Sequence, residues 1–238
     1  MALPQVNSSR YSTKLPSTGV EIEYRPYLVK EEKIMMVALE SKDNKQIVGA
    51  MKDVAQACIL TDVDVDKLTA FDLEWMFLQL RSKSVGEKAD VKVKCQEDGC
   101  EGMTEISIDL SEVEMDEYEP SNNRVIQLNN DIGVQMVYPS VNLVEKYDEE
   151  KLNNVDGVFD MIIDCLETIY DKDDVYNVKD ERRQDVKDFV EALTSNQFSK
   201  LAEFLQKIPS VKKRVEWCCS TCEANNEMEL RGLQSFFT

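Results

Sequence analysis

Four cysteines are spaced so that they could share a metal ion. Cys95 and Cys100 bracket four residues, and Cys219 and Cys222 bracket two. Two thiolates on one tight turn can reach the same zinc ion, whose Zn–S bonds are about 2.3 Å long. Each pair is framed by residues that alternate between apolar and polar, the period of a strand with one buried face. Val91 and Val93 lead into Cys95, and Ile106, Ile108 and Leu110 follow Cys100. Val215 and Trp217 lead into Cys219, and Met228 and Leu230 follow Cys222. The same period chooses between neighbours. Cys219 shares a strand face with Val215 and Trp217, whereas Cys218 points to the opposite face. Cys95, Cys100, Cys219 and Cys222 are therefore the expected ligands of one zinc ion. Four thiolates leave no open coordination position, so the expected role is structural and not catalytic. Cys58 and Cys165 fall on apolar helical faces and read as core residues.

Other chemistry is poorly provided for. The chain of 238 residues contains no histidine. That excludes Ser-His-Asp and Cys-His catalysis and any metal site that requires an imidazole. There is no Walker A sequence and no G-x-G-x-x-G. Asp171, Asp173 and Asp174 resemble the start of a calcium loop. Tyr176, however, stands where the loop needs glycine, and Arg182 where it needs its bidentate glutamate. An acidic turn at a helix end is the better expectation there. Cys219-Ser-Thr-Cys222 lacks the βαβ surroundings of a redox motif. An odd total of seven cysteines argues against a disulfide framework. The sequence therefore predicts no enzyme.

Composition bounds the partners. Asp and Glu number 46 against 28 Lys and Arg, a formal charge of −18. Such a chain repels phosphate backbones, so nucleic acid is not an expected partner, while a basic protein surface is. No stretch approaches the roughly 20 apolar residues of a membrane span, and the polar N-terminus lacks the apolar core of a signal peptide. The expected setting is the cytosol, with no membrane contact.

The elements that must position the cysteines follow from periodicity. Residues 1–19 are rich in Ser and Pro and read as a flexible arm. Residues 20–88 begin with a strand at Val20–Tyr24 and continue as helices. Leu28, Ile34, Val37 and Ala38 recur near helical spacing in the first, Asn44 is placed to cap the second, and Thr69 the third. Residues 89–118 and 210–238 would form the two halves of a zinc ribbon. The acidic run from Glu112 to Glu119, closed by Pro120, reads as a solvated linker. Residues 119–209 would be an insertion containing a hairpin (Val125–Leu128 with Val134–Tyr138) followed by helices. One helix is expected to carry Val158, Ile162, Cys165, Leu166 and Ile169 on a single face. Thr194 and Gln197 form a capping-box pattern for another. The predicted fold class is α+β: a helical N-terminal region and a four-cysteine zinc ribbon built from two distant β-hairpins, with a helical insertion between them. Phe236 and Phe237, at the end of the sequence, could serve as an anchor or fold back onto the ribbon.

Two stretches carry a family resemblance. Tyr24-Arg-Pro-Tyr-Leu-Val-Lys-Glu-Glu-Lys33, with Ile34-Met-Met-Val-Ala-Leu-Glu-Ser41 after it, resembles the start of the baseplate hub subunit and hub assembly proteins of T4-like contractile-tailed bacteriophages. The run from Cys219-Ser-Thr-Cys222 through Glu227-Met-Glu-Leu-Arg-Gly-Leu233 to Phe236-Phe237 resembles their C-terminal part. The resemblance implies a viral structural or assembly protein that works in the host cytoplasm and in the tail baseplate. Its implied partners are other hub proteins and the tape-measure protein. Two alternatives share the sequence features: a tail assembly chaperone for the tape-measure protein, and a zinc-ribbon regulator that binds host transcription machinery.

Overall fold

A short hairpin opens the chain. Strand β1 (Tyr11–Lys14) pairs antiparallel with β2 (Glu21–Tyr24). The computed structural model describes residues 8–41, 43–117, 124–147, 151 and 154–236. Within that range the expectation of a flexible arm through residue 19 is corrected. Trp75 donates through Nε1 to Thr13 Oγ1 at 3.1 Å. Asp72, only 1 % exposed, accepts from the Ser17 amide at 2.9 Å and from the Ser17 hydroxyl. The segment is polar, but a neighbouring helix supplies partners that hold it.

Three helices follow: α1 (Val29–Ser41), α2 (Asn44–Cys58) and α3 (Ala70–Ser84). Thr69 caps α3 in a reciprocal capping box with Asp72. The N-cap of α2 is Asp43, one residue before the predicted Asn44. Helix α1 departs further from its sequence pattern. It buries Glu31, Met35 and Ala38 and leaves Leu28, Ile34 and Val37 exposed. Glu31 decides this orientation. Its carboxylate accepts from Arg25 Nη2 at 2.9 Å and from the Leu28 amide at 2.8 Å. Arg25 also donates to the Pro26 and Ala57 carbonyls. Burial raises the Glu31 pKa, but the bonds from Arg25, Leu28 and Lys30 outweigh it and hold the group below its ordinary value.

Strands β3 (Lys88–Lys94) and β4 (Met103–Asp109) form one hairpin, and β10 (Val211–Cys218) and β11 (Asn225–Arg231) another. Strand β5 (Glu114–Met115) pairs with β10. Within the described part of the acidic run, Glu114–Met115 therefore adds a third strand to that sheet where a solvated linker is expected; residues 118–120 lie outside the described residues. Basic neighbours compensate the acids. Asp116 pairs with Arg231 and, at 3.0 Å, with Lys212, and Lys213 reaches Glu112 at 2.6 Å.

The remaining segment carries a four-stranded antiparallel sheet in the order β6 (Val125–Gln127), β7 (Gly133–Met136), β8 (Leu166–Tyr170), β9 (Val175–Asn177). Helices α4 (Val141–Lys146), α5 (Val155–Asp164), α6 (Arg183–Glu191) and α7 (Ser195–Gln206) accompany it. The predicted helix through Ile169 is corrected. It ends at Asp164, and Leu166-Glu-Thr-Ile-Tyr170 continues as strand β8. β-Branched and aromatic side chains favour that conformation, and β7 and β9 pair with it on both sides. Asp171 closes the β8–β9 turn by accepting from the Asp173 and Asp174 amides at 2.9 Å, so the acidic turn joins strands and does not end a helix. The Thr194–Gln197 capping box opens α7.

The fold is mixed α/β, and every strand pairing among the described residues is antiparallel. Its buried side chains form two clusters. One unites α1–α3 with β2–β4, β10 and β11, and the other unites β7 and β8 with α5–α7. Tyr138, packed on the second cluster, stacks on Phe204 with ring centroids 5.0 Å apart and meets Phe71 of α3 edge-on at 5.3 Å. Phe236 is 1 % exposed and belongs to the first cluster, which settles its part of the terminal aromatic pair as folded back. Phe237 lies outside the described residues. No helix among the described residues is long and apolar enough to cross a membrane.

Candidate metal centre

The two hairpins meet turn to turn. The thiol sulfurs of Cys95, Cys100, Cys219 and Cys222 all lie within 4.8 Å of one another. Cys95 Sγ is 3.6 Å from Cys222 Sγ, and Cys100 Sγ is 3.9 Å from Cys219 Sγ. A tetrahedral ion with 2.3 Å bonds sets its sulfurs about 3.8 Å apart. A disulfide would need about 2.05 Å, so these are free thiols at metal-ligand spacing and not bonded pairs.

The turns are built to aim them. The Cys95 amide donates to the Gly102 carbonyl at 2.9 Å, and the Cys219 amide to the Ala224 carbonyl at 2.9 Å, closing each knuckle at its base. Backbone amides then turn toward sulfur: Gly102 N–H to Cys100 Sγ and Thr221 N–H to Cys219 Sγ, both at 3.4 Å. The two knuckles also bond each other. The Ser220 amide donates to Thr104 Oγ1 at 3.0 Å, and the Ser220 hydroxyl to the Met103 carbonyl at 3.2 Å. Glu223 takes the left-handed conformation at φ 60° to complete the second turn.

Amide donors favour a thiolate. The Cys222 and Thr221 amides draw the Cys219 pKa down to about 6. At Cys222 the Ala224 amide lowers the pKa, but the Cys100, Cys95 and Cys219 thiols and burial together push it up to about 12. At Cys100 the Gly102 amide and the Cys222 thiol lower the pKa, but burial and the Cys95 and Cys219 thiols together raise it. Cys100 and Cys222 thus resist ionisation beside the other sulfurs unless a cation joins them. That is what a soft divalent ion supplies.

Each cysteine outside the cluster has its own place. Cys218 is exposed, and its sulfur contacts the Glu223 carbonyl at 3.3 Å. Cys58 and Cys165 are fully buried in the two cores, and burial pushes their thiols up to about 11 and about 12.

Two supporting residues escape the cysteine spacing. Asn226 is buried beside the cluster. Its Oδ1 accepts from the Gln96 amide at 2.7 Å and lies 3.6 Å from Cys95 Sγ, while its Nδ2 donates to the Ala224 carbonyl at 2.8 Å. One side chain thus ties the first knuckle to the second. The available signal was an amide on the same strand face as Met228 and Leu230, where an apolar residue is expected. Gly102 is the other. A Cβ there would stand 2.6 Å from Thr221 Oγ1 and 2.9 Å from Cys219 Sγ, so no larger residue fits without displacing the opposite knuckle.

No curated protein and no solved structure matches the chain. Residues 8–238 match the family described as T4 bacteriophage base plate protein. With nearly the whole sequence covered, this acidic chain with its clustered cysteines belongs to the T4 bacteriophage base plate protein family.

Proposed function

We propose that the protein is a non-enzymatic structural or assembly component of the baseplate hub, and that Cys95, Cys100, Cys219 and Cys222 hold one structural zinc ion. The observation that carries the zinc assignment is the sulfur spacing of 3.6 and 3.9 Å across two knuckles from opposite parts of the chain. Thiolate-only donors favour zinc over hard cations, which prefer oxygen. On this reading residues 89–118 and 210–238 make a zinc ribbon that closes over the helical region 20–88, and residues 119–209 are carried as an insertion between its halves. The ion clamps the hairpins and leaves the outer surfaces free for protein contacts.

The hub assignment rests on family membership together with the resemblance at Tyr24–Ser41 and from Cys219 onward. Its partners are other hub proteins and the tape-measure protein, met first in the host cytoplasm. Co-purification from infected cells tests it, combined with mass spectrometry of purified virions. Hub proteins recovered with the chain, and the chain itself in particles, support the hub reading. Recovery on unfinished tails with absence from particles would instead favour the tail assembly chaperone. Recovery with host RNA polymerase alone would overturn both.

A further inference from the structure

Helix α1 exposes large apolar side chains among its charges on the side it turns away from the protein. Val29 is 80 % exposed, Met36 58 % and Val37 59 %, and Ile34 is exposed beside them. On a 3.6-residue repeat Val29, Lys33, Met36, Val37 and Glu40 line one outward stripe. Lys33 and Glu40 are both exposed, and neither has an ion-pair partner among the described residues. Solvent-facing helices normally carry charge where this one carries methionine and valine, and the exposed Met36–Val37 centre with Lys33 and Glu40 on either side has the make-up of an interface.

The order of the stripe identifies the partner. Lys33 lies three residues before Met36, and Glu40 three residues after Val37. The two charges are therefore placed symmetrically about the Met36–Val37 step, with opposite sign. A two-fold axis through that step lays a second α1 antiparallel on the first. Met36 then meets the second copy's Val37, and Lys33 meets its Glu40, twice over. A parallel copy would set Lys33 against Lys33. A uniformly basic partner would meet Lys33 and the neighbouring Lys30. We propose that α1 is a self-association surface, and that its occupant is α1 of a second copy of this chain in an antiparallel two-fold pair. The overall charge of −18 opposes the pairing, but at physiological salt it is screened beyond about 8 Å, whereas the apolar centre and the two ion pairs act at contact.

Sedimentation equilibrium of the full-length chain tests this. The wild type is expected to dimerise at micromolar concentration. Val37→Glu is expected to raise the dissociation constant roughly tenfold or more, since it places charge at the apolar centre. Lys33→Glu and Glu40→Lys should each weaken the dimer, and the double variant should restore it. The distinctive result comes from mixing the two single variants. Alone, each sets like charges against each other at both ends of the pair. In the mixture the two introduced side chains, of opposite sign, face each other at one end, and the native Lys33 faces the native Glu40 at the other. The mixture should therefore dimerise more tightly than either variant by itself. The three substituted positions are solvent-facing, and circular dichroism of each variant checks that the fold is retained. A wild type that remains monomeric to about 100 µM overturns the proposal. So does a dimer indifferent to Val37→Glu, or a mixture of the single variants no tighter than its components.

Discussion

Cys95 Sγ and Cys222 Sγ stand 3.6 Å apart although they lie 127 positions apart in the chain. Everything between them, including the four-stranded sheet and its helices, lies inside the loop that a shared ion would close. In the chain-entropy picture a cross-link over such a loop contributes about 4–5 kcal/mol. For a domain of this size that corresponds to a fall in Tm of roughly 10–20 °C when the link is removed. A strong chelator should therefore produce a large decrease, followed by differential scanning fluorimetry. Trp217, buried two residues before Cys219, supplies a local readout. In a Trp75→Phe variant, where Trp217 is the remaining tryptophan, chelation should shift its emission to the red. Unchanged emission and Tm would mean that the knuckles close without metal.

Gly102 lies where the two knuckles approach closely. Gly102→Ala should destabilise the protein by about 1–3 kcal/mol through overpacking, read by urea denaturation, and should weaken metal retention in a competition with a chelating dye. The first atom met is the Thr221 hydroxyl. Adding Thr221→Ala should recover part of the loss but not all of it, because Cys219 Sγ remains at 2.9 Å from the new methyl group.

Glu31 anchors α1 from beneath. Removing it leaves the Arg25 guanidinium, which is largely buried, without its carboxylate. Glu31→Ala should cost about 3 kcal/mol, measured by denaturant unfolding. The Pro26 and Ala57 carbonyls still receive Arg25, which limits the loss. Arg25→Ala should cost about as much, limited in turn by the Leu28 amide and Lys30, which still reach the Glu31 carboxylate.

Asp164 predicts a pH dependence. Burial raises its pKa, but Lys146 at 2.5 Å, Arg183 and Tyr147 at 2.8 Å outweigh this and hold it below the ordinary aspartate value. The folded state thus binds this proton less readily than the unfolded chain. Its stabilising contribution is complete above the unfolded pKa of about 3.9 and is lost as pH falls through the lower folded value. Between about pH 4 and pH 2 the wild type should lose stability more steeply than Asp164→Asn, measured by urea denaturation across that range. Equal slopes would assign the acid sensitivity to other carboxylates.

The cysteine cluster was legible because two constraints act together. Short spacing within each pair and strand parity around it restrict where a sulfur can point, and parity alone separates Cys219 from Cys218. The capping boxes at Thr69 and Thr194 were legible for a similar reason: each is a local bond between residues three apart. The failures are tertiary. Nothing near Ser17 announces that Asp72 will hold it, 55 residues away. Leu166 and Ile169 fit a helical stripe and a strand equally well, and their pairing with β7 decides between them. In α1 a buried ion pair overrode apolar periodicity, and only the folded chain reveals that Glu31 faces in while Val37 faces out.

The most direct measurement is the metal content of the purified chain, by native mass spectrometry alongside elemental analysis, for the wild type, Cys218→Ser and Cys219→Ser. One zinc per chain is expected in the wild type and in Cys218→Ser, with its loss or sharp reduction in Cys219→Ser. A wild type that folds fully with no bound zinc after purification in zinc-containing medium would contradict the structural-zinc assignment, as would zinc that leaves with Cys218 and stays without Cys219.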